Sequence, residues 1–297
     1  MVDNFKIENQ FKQFLEAHPS ASCCSCVEYI GLNFSALNTI PIVFKAYYKM
    51  KKSLECPHPL LQPLIQKGLI RTLNRIDDTV NSGKVRYEIG LRHRTNENML
   101  WLYDWIFQLS PVLKLQAIDE ISNLSRLKCS EHPLYQYASM YFMGLIINNL
   151  EEIEAIKFHY LLRVCSDTDK INENFHIDNE GYLCALKNTN IQAFSTLSDR
   201  VFELIRNIPA ELWIAAVDYY IDKAPKYKIY IKNFSSDDMC KCLMSIMNDS
   251  HCKTLVEHIK SYRHWLISHQ ELKLYGTALC LSEDGQWSLN FYHEYEL

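Results

Sequence analysis

The sequence is sparing with the residues that punctuate chains, having 8 glycines and 9 prolines among 297 residues. No Gly/Ser-rich linker or low-complexity stretch interrupts it, so no composition break divides it, and one domain over residues 1–297 is expected. Long apolar runs are missing too, and no stretch reads as a helix crossing a bilayer. The opening MVDNFKIENQFKQF has the period of an amphipathic helix and lacks the apolar centre of a secretory signal, so a cytoplasmic protein is expected. A basic surplus is also absent. With 31 Lys and Arg against 35 Asp and Glu, the formal charge is −4, which excludes a general nucleic-acid binder. Paired CxxC motifs do not occur among the 11 cysteines. The clusters Cys23, Cys24, Cys26 and Cys240, Cys242 offer no tetrahedral metal set, and the thiols read as reduced, mostly buried and apolar in behaviour.

What is present is a recurring hairpin: an apolar strand, a short polar break, then a strand of strict alternation. Five occur. CVEYIGLNF turns through SALNTIP into IVFKAYYK, and LIRTLNRIDDTV through NSG into KVRYEIGLRHR, where NSG is a tight-turn signal. YASMYFMGLII turns through NNLEE into IEAIKFHYLLRV. ELWIAAVDYYI turns through DKAP into KYKIYIKN, and ELKLYGTALCL through SEDGQ into WSLNFYHEY. Amphipathic helical segments lie between them: NMLWLYDWIFQLSPVLKLQAIDEISNLSRL, FSTLSDRVFELIRNI, SSDDMCKCLMSIM and TLVEHIKSYRHWLISH, with SSDD as an N-cap signal.

Ten antiparallel strands strain an open sheet, and closure removes the edges. The aromatic-rich face of each second strand needs an apolar cover, which only the helices provide. The fold class expected is therefore α+β: a ten-stranded antiparallel barrel of five β-hairpins, ringed outside by α-helices, with a polar, solvent-accessible lumen. A barrel of about eight strands is just filled by side chains, so ten leave space inside. In a sandwich with helices on one face, the same alternation would leave the polar residues in water. The recurrence across five strands favours the lumen: Lys45 with Tyr47, Arg86 with Glu88, Lys157 with His159, Lys228 with Tyr230, Asn290 with Tyr292. Cations converging in a partly desolvated space need an anion, and a diphosphate meets that need. Tyrosine faces beside it suit a carbocation at the ligand's other end. Together these describe isoprenyl transfer from an allylic diphosphate.

VDYYIDKAPKYKIYIKN, YIGLNFSALNTIPIVFKAYYK and LYGTALCLSEDGQWSLNFYHEY resemble the aromatic, or ABBA, prenyltransferases across nearly the whole chain, most of all the cyanobactin-type peptide prenyltransferases. The resemblance implies the PT barrel and places Lys45, Lys157, His159, Lys228, Tyr230 and Tyr292, with Arg86, at the diphosphate; Tyr47 and Asn290, which share their faces, complete the set expected at the diphosphate and prenyl group. It also implies a glutamate at the start of the first hairpin, here Glu28, as general base toward the acceptor. The sequence departs from the pattern at Lys45, where arginine is common, and at Leu161, which interrupts a Lys-x-His-x-Arg strand.

The implied function is transfer of a dimethylallyl or geranyl group to a nucleophilic side chain of a cyclic ribosomal peptide. Asp78, Glu88 and Asp218 are candidate carboxylates at the acceptor. If they point inward they suit an arginine guanidinium, with Tyr, Trp and His acceptors remaining open. A magnesium ion can accompany the diphosphate, but no dedicated metal site and no organic cofactor is expected. The alternative is a non-catalytic barrel carrying an anionic lipid or isoprenoid. Gly31, Gly90, Gly144 and Gly276 are the positions where a missing side chain would lengthen the prenyl pocket.

Overall fold

The computed structural model describes residues 4–22, 27–37, 42–50, 58–78, 85–93, 96–109, 135–148, 152–164, 179–189 and 191–295. The ten strands are β1 (Val27–Ser35), β2 (Val43–Lys49), β3 (Ile70–Asp78), β4 (Val85–Leu91) and β5 (Tyr135–Ile147), followed by β6 (Ile153–Val164), β7 (Glu211–Tyr220), β8 (Lys226–Lys232), β9 (Leu272–Ser282) and β10 (Trp287–Tyr295). Each pairs antiparallel with its sequence neighbour, and β1 pairs with β10 from Ile30 opposite His293 to Ser35 opposite Ser288. The sheet is therefore a closed barrel, as the five-hairpin pattern requires. Because every neighbouring pair is antiparallel, the ends of the first strands and the starts of the second strands share one rim, the hairpin-turn end, and the opposite strand ends form the other, the helix end. The NSG turn lies outside the described residues.

Seven α-helices accompany the barrel among the described residues: α1 (Asn4–Ala17), α2 (Gln62–Gln66), α3 (Asn96–Leu109), α4 (Asn179–Lys187), α5 (Gln192–Ile205), α6 (Ser236–Asp249) and α7 (Lys253–Ser268). Of the long segment expected to be helical from Asn98, α3 covers the described part and residues 110–127 lie outside it. Ser235 is the N-cap of α6, as SSDD signals, but its side chain makes no capping bond. Asp237 instead pairs with Lys241 of the same helix and Arg263 of α7.

Alternation sorts the strand residues by ring. Phe44 of β2 faces outward and meets Phe11 and Phe14 of α1 at ring separations of 5.1 and 5.9 Å. Tyr227 of β8 lies 5.1 Å from Phe194 of α5, and Phe291 of β10 stacks at 4.1 Å on Tyr262 of α7. These rings belong to the core between barrel and helices, with Phe44, Phe194, Tyr262 and Phe291 wholly buried. Each such side chain contributes about 1.5–3 kcal/mol by leaving water. Lys45, Lys228 and Asn290, one residue away from these rings in sequence, consequently face inward.

The alternation is broken on the first strand of every hairpin. Register shifts leave Glu28 extra between Val27 and Tyr29, Arg71 between Ile70 and Thr72, and Tyr141 between Met140 and Phe142. On β7 the extra residue is Trp213, and on β9 it is Tyr275. These bulges lie toward the helix end. A bulge re-aims the inserted side chain, which brings Trp213 and Tyr275 to the lumen although their parity would put them outside.

Candidate active site

The lumen is chemically polarised along its axis. Toward the hairpin-turn end it opens into a cavity of about 340 Å³ lined by Lys45, Arg86, Lys157, Lys226 and Lys228, with Asn33, Ser282, Ser288 and Asn290 between them. Asp218 sits at the centre of this cationic set with no exposure to solvent. Its Oδ2 takes a short contact from Lys228 Nζ, lies 3.1 Å from Lys157 Nζ and accepts from Tyr220 OH at 3.1 Å. Burial opposes its ionisation, but Lys157 and Lys228 override that and hold the carboxyl well below the usual range. Burial also lowers Lys157 to about 8 against the pull of Asp218. His159 is driven down to about 3 by burial. It therefore joins the site as a neutral imidazole whose Nε2 lies 3.2 Å from Tyr230 OH.

Beyond the cations the wall becomes aromatic. Tyr29 neighbours Tyr47 at a ring separation of 6.3 Å, Tyr47 neighbours Tyr292 at 6.1 Å and Tyr292 neighbours Tyr230 at 5.7 Å. The circuit continues through His159 at 5.5 Å, Phe142 at 6.2 Å and Trp213 at 6.3 Å. Tyr275 then closes it, 5.9 Å from Trp213 and 5.3 Å from Tyr29. These rings surround a pocket of about 50 Å³. Burial raises the Tyr47, Tyr230 and Tyr292 phenols well above their ordinary range, so the wall stays neutral and presents π faces. The long stem of Lys157 reaches past Gly144, where a Cβ would come within 3.1 Å of it. Glycine there serves the approach of the lysine. Gly276 lines the aromatic pocket itself.

At the helix end stand carboxylates. Glu28, half-buried on its bulge, accepts through Oε2 from Asn74 Nδ2 at 2.5 Å. Asn74 pairs across β3 and β4 with Glu88, which faces both the aromatic pocket and the inner cationic wall. Burial, then the charge of Glu28, pushes Glu88 up to about 7 against Lys157 and Lys228.

The expected donor residues Lys45, Tyr47, Arg86, Lys157, His159, Lys228, Tyr230, Asn290 and Tyr292 all line one lumen. Glu88 lines it through alternation, and Glu28, on its bulge, contacts Asn74 beside Glu88. Asp218 does not join them at the acceptor end. Its backbone pairs with Lys157, and its carboxylate is engaged by Lys157 and Lys228 inside the cationic set. Asp78 pairs through its backbone with Lys45, and its side chain lies outside the described residues. Sequence reasoning did not find Tyr29, Asn74, Phe142, Trp213 and Tyr275. All sit on first strands, and Trp213 and Tyr275 are themselves inserted residues. Among the described residues no cluster of three or more His, Cys, Asp and Glu is arranged for a metal, and Cys184, Cys240, Cys242, Cys252 and Cys280 are free thiols. No described helix is long and apolar enough to cross a membrane.

No protein-family model and no curated protein matches the sequence. Solved structures do match its fold. AnaPT from Neosartorya fischeri superposes with a TM-score of 0.60 at 11% identity, covering 99% of this chain and 92% of that one. NotF prenyltransferase gives 0.54 at 9%, covering 89% and 79%. The 5-dimethylallyltryptophan synthase from Streptomyces coelicolor gives 0.52 at 9%, covering 89% and 80%. With its closed barrel of ten antiparallel strands and accompanying helices, the chain has the ABBA prenyltransferase fold.

Proposed function

We propose that the protein is a prenyltransferase that moves a dimethylallyl or geranyl group from its diphosphate to a nucleophilic side chain of a peptide, in biosynthesis of the cyanobactin type. The observation that carries this reading is one lumen in which Lys45, Arg86, Lys157 and Lys228 stand beside a closed aromatic circuit. The likeness in fold to structures described as prenyltransferases supports it.

The chemistry follows from the polarity of the lumen. The diphosphate lies against the cationic wall, and Tyr230 and Tyr292, whose hydroxyls are 3.4 Å apart, offer further hydrogen bonds. As the C1–O bond lengthens, its electron pair passes to the diphosphate, and the clamp stabilises the added charge without reorganising. The allylic cation forms inside the aromatic circuit, which stabilises it through π faces and excludes the water that would quench it. The acceptor approaches from the helix end and bonds to C1, and Glu28 takes the displaced proton. Arg, Tyr, Trp and His side chains all offer a nucleophile for this step. A magnesium ion, where one takes part, arrives with the diphosphate at a mouth where the cations Lys45, Arg86, Lys157 and Lys228 stand among the carboxylates Glu154, Asp222 and Asp284.

The test is incubation with dimethylallyl or geranyl diphosphate and a mixed set of cyclic peptides, read by mass spectrometry. A peptide gaining one prenyl group is the expected result. Tight binding of the donor with no product from any peptide would instead favour a carrier of isoprenoid or anionic lipid.

A further inference from the structure

Glu88 borders both the aromatic pocket and the inner cationic wall, Glu28 meets Asn74, which lies opposite Glu88 across β3 and β4, and among the described residues no ion pair reaches either carboxylate. Between them is a second unmet need. Asn74 is 3% exposed, and because its amide nitrogen is engaged by Glu28 its orientation is fixed, leaving Oδ1 buried and without a donor among the described residues. Three acceptor groups therefore lie together, and among the described residues the bond from Asn74 Nδ2 to Glu28 is the one side-chain donor they receive. Lys49, directly opposite Asn74 across β2 and β3, is exposed and makes no ion pair with either carboxylate among the described residues, and two further cations at this end are placed elsewhere. Lys232 Nζ lies over the Trp213 ring at 5.5 Å, and exposed Lys273 acts on Glu294. Buried acceptors and carboxylates in apolar surroundings are costly unless a donor or cation meets them.

Resting on the transferase reading above, we propose that the acceptor arrives as a cation, the guanidinium of a peptide arginine, held by Glu28, Glu88 and Asn74 Oδ1. A guanidinium presents five N–H donors in one plane, enough to serve two carboxylates and an amide oxygen at once. An ammonium is a compact point charge and lacks that planar fork. The flat group also stacks on aromatic faces, and Tyr29, Trp213 and Tyr275 border the same pocket as Glu88. A neutral phenol, indole or imidazole would leave one carboxylate unpaired.

The step balances. The C1–O bond breaks with its electron pair on the diphosphate, a C1–N bond forms to a terminal guanidine nitrogen, and that nitrogen's proton passes to Glu28. The product guanidinium keeps its single positive charge and remains paired with Glu88. The proton on Glu28 is then lost to solvent.

The experiment uses the full chain, dimethylallyl diphosphate and peptides identical except for Arg, Lys, Tyr, Trp or His at one position. The Arg peptide is expected to gain one dimethylallyl group in preference to the others. Glu88→Gln is expected to raise the KM for that peptide about tenfold or more, while retained binding of inorganic pyrophosphate verifies that the variant is folded. Preferential modification of the Lys, Tyr, Trp or His peptide overturns the guanidinium assignment and leaves prenyl transfer standing. An unmodified Arg peptide in a protein that binds pyrophosphate overturns it equally, as does an unchanged KM in Glu88→Gln. Failure to bind pyrophosphate, with no peptide modified, overturns the transferase reading itself.

Discussion

Asp218→Asn separates the two roles a carboxylate can play inside a cationic clamp. Asp218 is wholly buried, and Lys228, Lys157 and Tyr220 all converge on its Oδ2. The substitution keeps the shape and removes the charge, leaving two lysines in a confined space with no internal counterion. Breaking a buried ion pair from one side costs about 3–5 kcal/mol, which for a chain of this size corresponds to a fall in Tm of roughly 5–8 °C. The same change strengthens anion binding. Removing a negative charge about 6 Å from a bound phosphate, at an effective dielectric of about 20, gives about 3 kcal/mol as an upper bound, or about a hundredfold. Lys157 is held near 8 by burial against the pull of Asp218, and it drops when the carboxylate is gone. Measurements at pH 6 therefore favour the charged form in both proteins. Thermal melts with and without inorganic pyrophosphate are the assay. The variant is expected to melt lower alone, to bind pyrophosphate more tightly, and to recover about 2.7 kcal/mol at a hundredfold excess over Kd. An unchanged Tm, or weaker pyrophosphate binding in a folded variant, refutes the internal counterion.

The remaining expectations concern the two ends of the lumen. Lys228→Ala, which removes a cation that is 4% exposed and frees Asp218 to repel the donor, is expected to abolish diphosphate binding in calorimetry. Unchanged affinity would move the clamp elsewhere. Glu28→Gln is expected to lower kcat about a hundredfold or more, in line with loss of a general base, with donor affinity kept; full turnover would assign the proton to another group. Glu88, raised to about 7 by burial and by Glu28 and opposed by Lys157 and Lys228, holds a proton below that pH. Asn74 and the neutral phenols of Tyr29, Tyr47 and Tyr292 are its other neighbours. A cationic acceptor must displace that proton, so the peptide KM is expected to rise as pH falls through about 7, whereas a flat profile would mean that Glu88 does not touch the acceptor. The stability sign is the converse. A carboxyl whose pKa is raised on folding stabilises the protein most below the unfolded value of 4.5 and loses that contribution as pH rises toward 7. Melts of Glu88→Gln should lack that decline.

The donor side of the site was legible because it rests on strict alternation. Lys45, Arg86, Lys157, Lys228 and Asn290 belong to second strands, where each inward polar residue follows or precedes an outward aromatic or aliphatic one, and the helices leave no doubt which face they cover. Two features escaped that logic for physical reasons. The neutrality of His159 and the capture of Asp218 by two lysines depend on register, since Lys157 lies opposite Asp218 and Lys228 opposite Ala216. Cross-strand register is a tertiary property that parity within one strand does not contain.

The helix end was legible least, because it is built where alternation fails. Glu28, Trp213 and Tyr275 are each the extra residue of a bulge on a first strand, so period-two reasoning assigns all three to the outer face. Glu28 was found only through family resemblance, and Trp213 and Tyr275 were not found. The division has a consequence for how such a site changes. Donor-binding residues lie on second strands that pair regularly apart from an extra Glu154 on β6, outside the stretch carrying Lys157 and His159; locked by outward rings such as Phe44 and Tyr227 in the helix-covered core, they cannot shift register without turning those rings inward. The acceptor end depends on bulges, which can move by one residue and re-aim a side chain while the rest of the strand keeps its pairing. Acceptor choice is therefore free to diverge on a barrel whose diphosphate clamp is held constant, and deleting Glu28 to restore regular pairing between β1 and β2 should abolish acceptor turnover while pyrophosphate binding survives. Loss of both together would show that the bulge shapes the clamp as well.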